Sequence, residues 1–173
     1  AFIAVPNAEC LDTYRKLTVP VLFFDQYLSE LDTPRIICDD YQGAVAAVEY
    51  LVALGHKKIA HVSGTYDLTS RLRRRGYLET LANHGIQVPP DYIKCQDPTR
   101  EWGYYAAREL FTGHGRPTAV FCGNDTIAAG VYRYFNEKKI RVPEDCSIIA
   151  FGNTPISEDL NLASVSQNSA RII

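Results

Sequence analysis

The 173-residue sequence predicts an α/β fold, a doubly wound parallel sheet, from three observations. Short continuous apolar runs recur along the chain, as strands buried on both faces require. Longer stretches between them carry apolar residues at three- and four-residue steps, the pattern of one buried helical face. The longer runs close on a polar residue beside a small one. Strands separated by helices of this length mean right-handed crossovers and parallel neighbours.

The elements follow in order. Residues 19–25 (VPVLFFD) form a strand ending in a carboxylate, and 35–38 (RIIC) a shorter one. Asp39 and Asp40 are both able to cap the next helix. Between 41 and 54, Ala44, Val45, Val48, Leu51 and Val52 share a face, and Gly55 ends the helix. Lys57 and Lys58 lead into a strand over 59–63 (IAHVS). A helix is predicted over 71–83, with Leu72, Tyr77, Leu78 and Leu81 inward and Gly85 beyond its end. A short strand at 93–95 and a helix at 102–111 follow, the latter ended by Gly113 and Gly115. The strand 118–122 runs into Gly123-Asn124-Asp125. The helix 126–136 places Ala128, Val131, Tyr132 and Phe135 on one face. The strand 146–151 ends at Gly152-Asn153.

Composition removes several function classes. Apolar residues at 46% and charged residues at 22% exclude a disordered chain. Gly and Pro (11 and 9 residues) show no period, which excludes collagen-like material, and no apolar stretch is long enough to span a membrane. The formal charge of −2 does not suit a surface that neutralises many phosphates. The cysteines at 10, 38, 95, 122 and 146 are odd in number and lack metal or redox spacing. Cys38, Cys122 and Cys146, in or beside apolar runs, read as small buried thiols in a reducing compartment, and with no secretory signal in view the expected location is the cytoplasm. Absence of Met, the abrupt opening AFIAVPN and the abrupt close SARII point to a piece of a longer chain.

No phosphate-binding glycine loop, no zinc-protease motif and no nucleophile elbow occurs, so neither an enzyme nor a cofactor is expected. The four histidines (56, 61, 84, 114) have no ligand-spaced neighbours, and no metal is expected. The arginines of RLRRR (71–75) spread around a helix rather than forming one stripe. One of them is expected to face a crevice and the others water or acidic neighbours.

Ligands of open parallel sheets bind outside the strand carboxyl ends. Asp25, the loop from Ser63 to Thr69, Asn124-Asp125 and Asn153 stand there. Asp125 reads as the cap of the helix that starts beside it. Asn124 is less easily assigned to capping, and Asp25 has no clear helix to cap, so its carboxylate is expected to face a crevice.

The words DDYQGAVAAVEYLVALGHKKIAHVSG, RLRRRGYLETLANHGI, GYYAARELF, RPTAVFCGNDTIAAGVYRYF and KIRVPEDCSIIAFGN, in this order, resemble the effector-binding domain of LacI/PurR-family repressors. The resemblance implies a periplasmic-binding-protein-like core of two α/β lobes joined by crossovers, present here only in part. Residues 1–38 would be the later part of the N-terminal lobe, 39–166 the C-terminal lobe, and 167–173 a crossover segment. The family's helix-turn-helix, which contacts operator DNA, would lie outside these residues.

Effector contacts implied by the resemblance are Asp25, Arg73 (three before Gly76-Tyr77), Asn124 and the hinge glutamine Gln167. Where the family has Gly-aromatic-Asp, this sequence has Ala150-Phe151-Gly152, and Asn153 is expected to take over part of the missing carboxylate's role. The stacking aromatic five residues before Gly103 is Pro98, with Trp102 nearby in a different register. Carboxylate, guanidinium and amides suit a polyol, so a sugar is the expected effector. Lobe closure around it would change operator affinity in a homodimer. A periplasmic sugar-binding transport protein and an enzyme on a similar sheet are the alternatives.

Overall fold

Strand and helix alternate through two parallel sheets in the computed structural model, which describes residues 2–4, 8–25, 27–28, 30–65, 67–113 and 115–167. The chain divides into two compact units, Ala1–Asp39 with Asn168–Ile173, and Asp40–Gln167. The first unit contains β1 (Phe2–Ala4), α1 (Leu11–Arg15), β2 (Val21–Phe24) and β3 (Arg35–Ile36), its strands in the order β1-β2-β3.

The second unit runs α2 (Asp40–Ala53), β4 (Ile59–Ser63), α3 (Leu68–Asn83), β5 (Ile93–Cys95), α4 (Arg100–Thr112), β6 (Ala119–Cys122), α5 (Asp125–Lys138), β7 (Ser147–Gly152), α6 (Pro155–Asp159) and β8 (Ala163–Ser166). Its sheet has the order β5-β4-β6-β7-β8, with every pairing parallel. The apolar runs are continuous because both faces are covered. Ala60, Val62, Val120, Cys122, Ile148 and Ala150 join the core under α4 and α5. Ile59, Ala119, Phe121, Ile149 and Phe151 alternate with them and join the core under α2 and α3. Tyr77, Phe121 and Phe135 are fully buried, and burying each aromatic side chain is worth about 1.5–3 kcal/mol.

Two close approaches need glycine. A Cβ on Gly43 of α2 would lie 2.7 Å from the Phe151 ring, so the helix rests directly on that ring. At the seam of α4 and α5, a Cβ on Gly103 would strike the Ile127 carbonyl, and one on Gly130 would strike the Arg100 carbonyl.

The structure starts two predicted helices earlier, trims the strands predicted at 19–25 and 35–38 to Val21–Phe24 and Arg35–Ile36, and leaves Leu78, expected inward, exposed. The predicted helix at 71–83 starts three residues earlier, because Asp67 caps it by accepting from the Ser70 amide at 2.6 Å. Burial alone would raise the Asp67 pKa, but the hydrogen bonds from Thr69 and Ser70 outweigh that and leave it lowered. Likewise α4 starts at Arg100 behind Thr99, whose Oγ1 accepts from the Trp102 amide. Four elements lie outside the predicted set: β1, α1, α6 and β8. Helices α1 and α6 have five residues each, too few to show a periodicity, and β8 is the short polar segment ASVS.

Candidate functional site

The sheet order reverses between β4 and β6, since β5 lies on one side of β4 and β6 with its successors on the other. A crevice opens at such a switch point, at the carboxyl ends of the strands. Here those ends are Ser63 on β4 and Gly123 just past β6.

Arg73 of α3 is anchored at this point. Its Nε donates to Asp40 Oδ1 at 2.8 Å, its Nη2 lies 2.6 Å from the same oxygen, and its Nη1 donates to the Gly123 carbonyl at 2.5 Å. Its guanidinium lies over the Phe151 ring, 3.8 Å from the centroid. The two side chains of the pair are 8% and 4% exposed. These contacts use three of the five guanidinium N–H groups and leave two without a partner among the described residues. Of the arginine run, Arg73 is the one turned inward. Arg75 pairs with Glu79 at the surface, and Arg74 reaches the Cys95 sulfur at 3.8 Å.

The roles expected for Asn124 and Asp125 are exchanged. Asn124 is the cap of α5, its Oδ1 accepting from the Ile127 amide at 2.8 Å. Its Nδ2 makes no hydrogen bond among the described residues and remains a donor at the strand end. Asp125, 2% exposed, is instead a clasp. It accepts from the Thr154 amide and from the Ser164 hydroxyl, both at 2.7 Å, and so ties the ends of β6, β7 and β8 together. Ser164 Oγ also accepts from the Asn153 amide at 3.0 Å.

Asn153 is exposed and left-handed, with φ 52°. Gln167 follows β8, whose Ser166 is in register with Gly152. Arg73, Asn124, Asn153 and Gln167 thus stand at one edge of the five-stranded sheet. Asp25 belongs to the other unit. It directly follows β2 with φ 68°, and its carboxylate has no partner among the described residues. Residues held in left-handed backbone concentrate at functional sites, and Asp25 and Asn153 both follow strands.

Sequence reasoning missed Asp40, Phe151 and Ser164. The available signal was the Asp39-Asp40 pair, because an inward arginine requires a buried carboxylate. His61 on β4 lies beneath the same region. It stacks between Tyr77 and Phe121 with centroids 5.0 and 4.8 Å away, and its Nδ1 is 2.9 Å from the Phe121 carbonyl. Its Nε2 is buried without a partner, and burial lowers its pKa to about 4. His56 sits at the opposite end of the sheet, between Thr118 and Ser147, and His84 meets Glu49 at the surface. His114 lies outside the described residues.

Burial pushes the Cys122 and Cys146 thiols upward, the latter to about 12, so both stay protonated at neutral pH. Among the described residues no group of three or more His, Cys, Asp or Glu side chains is placed to hold a metal ion. No helix among them is long and apolar enough to cross a membrane.

The profile of the periplasmic binding protein-like domain matches residues 48–172. The chain is 34% identical over 155 residues to the HTH-type transcriptional repressor CytR of Escherichia coli (strain K12), covering 89% of this chain and 45% of that protein. It is 33% identical over 160 residues to the ribose operon repressor of the same organism, covering 92% of this chain and 46% of the relative. A sugar-binding transcriptional regulator of the LacI family from Escherichia coli, solved in complex with phosphate, superimposes with a TM-score of 0.81 at 27% identity, over 94% of this chain and 61% of that one. The chain therefore spans less than half the length of these curated relatives.

Proposed function

The chain belongs to the periplasmic-binding-protein-like domain family of LacI-type regulators, and from that premise we propose that it is the effector-sensing domain of a DNA-binding transcriptional repressor. The observation that carries the reading is Arg73. It is fixed by Asp40 and Gly123 at the switch point of the sheet, with two N–H groups still to donate. A guanidinium held in this way is pre-organised to take the hydroxyls of a small polar molecule. Asn124 and Asn153, which follow β6 and β7, are further proposed contacts. Asp25, in the first unit, and Gln167 complete the proposed contacts.

The effector class is a sugar. The names of the ribose operon repressor and the sugar-binding regulator support that choice. A neutral polyol also matches an edge whose guanidinium is already paired with a carboxylate. The proposed effector is held between two lobes and binds their closed arrangement better than the open one. In a cytoplasmic homodimer whose operator contacts lie in a helix-turn-helix, this difference becomes a change in DNA affinity, with a coupling of about 1–3 kcal/mol. The reading includes no catalytic step and no cofactor.

Calorimetric titration of the full-length protein tests it, starting with D-ribose and continuing through neutral pentoses and hexoses. The expected result is saturable binding of one of them, weakened about tenfold or more by Arg73→Lys and by Asn124→Ala. Wild-type affinity in Arg73→Lys would overturn the assignment.

A further inference from the structure

Among the described residues, the buried Asp and Arg side chains are Arg73, Asp40 and Asp125, and all three stand at the effector edge. The buried charge of that edge is one cation against two carboxylates. We propose that Asp40 is a specificity-determining residue: by neutralising Arg73 from within, it restricts the edge to uncharged ligands and turns away phosphorylated or carboxylate-bearing ones. The inference rests on the sensing reading above, and adds to it the group that decides the ligand's charge.

Asp40 is the first residue of α2, and its Oδ1 meets both Nε and Nη2 of Arg73, at 2.8 and 2.6 Å. The Phe151 ring covers the guanidinium at 3.8 Å, and α2 rests on that ring at Gly43. Buried charges are screened far less than surface charges. The carboxylate therefore acts on whatever approaches the guanidinium. The two N–H groups left to Arg73 keep their capacity to donate, while the charge behind them is cancelled. A hydroxyl needs only the N–H groups. An anion needs the charge.

Nothing buried nearby restores that charge. Asp125 is held as an acceptor by the Thr154 amide and the Ser164 hydroxyl. His61 is neutral, since burial lowers its pKa to about 4. Arg71 is exposed at the start of α3. Arg73 and Arg74 diverge: the first reaches Gly123 past β6 and the second the Cys95 sulfur on β5, and these strands flank β4 on opposite sides. An open cleft of about 610 Å³ lies beside Trp102 at the carboxyl ends of β4 and β5, and no Lys or Arg lines it among the described residues. An anion at this edge meets like charge, and like charge is how a site rejects a competitor of similar shape.

Inorganic phosphate reads this charge whatever the effector is. The full-length wild type, Asp40→Asn and Asp40→Asn/Arg73→Leu are titrated with phosphate by calorimetry at constant ionic strength, with far-UV spectra to confirm the fold. Asp40→Asn keeps an oxygen for Arg73 and removes only the charge. It is expected to bind phosphate at least tenfold more tightly than the wild type, and the double variant is expected to lose that gain. A residue that merely held α2 in place would lose binding on substitution and would not gain an anion. Unchanged phosphate affinity in a folded Asp40→Asn would overturn the proposal, as would a gain that survives the loss of Arg73. Asp40→Ser carries the same expectation if Asp40→Asn does not fold. Phosphate binding by the wild type that Arg73→Leu removes would overturn the proposal without any Asp40 variant. Phosphate results as expected, with no sugar bound, would sink the sensing reading alone. A wild type that takes both a sugar and, through Arg73, phosphate would sink the role of Asp40 alone.

Discussion

The interface between α2 and α3 holds two arginine–carboxylate pairs, one at its interior end and one at its rim. Arg73 and Asp40 meet at 2.6 Å with side chains 8% and 4% exposed. Arg75 and Glu79 meet at 2.8 Å with side chains 64% and 43% exposed, and Tyr41 adds a hydrogen bond to the same Glu79. The separations are nearly equal and the residue types match, yet the surroundings differ. Water screens the rim pair, and exposed pairs of this kind contribute little. The interior pair has lost its hydration, so each charge depends on the other. Burial, rather than contact distance, separates a residue that can organise a site from one that decorates a helix.

The sharpest way to break this comparison is to remove one interior charge. Arg73→Leu takes the guanidinium away from the buried Asp40 carboxylate, and is expected to cost about 3–5 kcal/mol in urea denaturation. The double variant Arg73→Leu/Asp40→Leu is expected to recover most of that loss. A single-variant cost no larger than that of a surface substitution would abolish the distinction.

Acid gives a second test of the interior. His61 lies against Tyr77 of α3 and Phe121 of β6, with the positive charges of Arg73 and Arg74 nearby. Burial lowers its pKa from 6.5 to about 4, so the folded state holds it neutral. Its contribution is then complete above the unfolded value of 6.5 and is lost as pH falls toward 4. The stability lost over that window is about 3 kcal/mol. Denaturation midpoints measured between pH 7 and 4 are expected to fall less steeply in His61→Phe than in the wild type. Equal slopes would show that the imidazole titrates alike in the folded and unfolded states.

The smallest effect belongs to the rim. Glu79→Gln is expected to leave the denaturation midpoint unchanged at moderate salt. A clear loss would mean that Tyr41, Arg75 and Glu79 act as a network rather than as a screened surface pair.

The parallel strands of the second unit were legible because burial on both faces writes an uninterrupted apolar run. Their carboxyl ends were legible for the same reason, since each run stops at a polar residue. What those polar residues do was not legible. Asn124 and Asp125 are neighbours of similar shape, and only the positions of Thr154 and Ser164, far along the chain, make Asp125 the clasp and leave the cap to Asn124. Asp40 was hidden in the same way: its partner is 33 residues away, and a carboxylate at a helix start already has a local explanation. Strand β8 escaped because an edge strand with a wet face needs no apolar run, and ASVS has none. The cleft beside Trp102 left no motif, because its lining comes from the loop after β4, the end of β5 and the first turns of α4.

The seam of α4 and α5 carries a mechanical consequence. Gly103 and Gly130 bring the two backbones so close that neither tolerates even a methyl group. Helices in contact through main-chain atoms cannot slide by repacking rotamers, since no side chain lies between them to adjust. They form a single cooperative unit, in which the amides on both sides of the seam become accessible to exchange together.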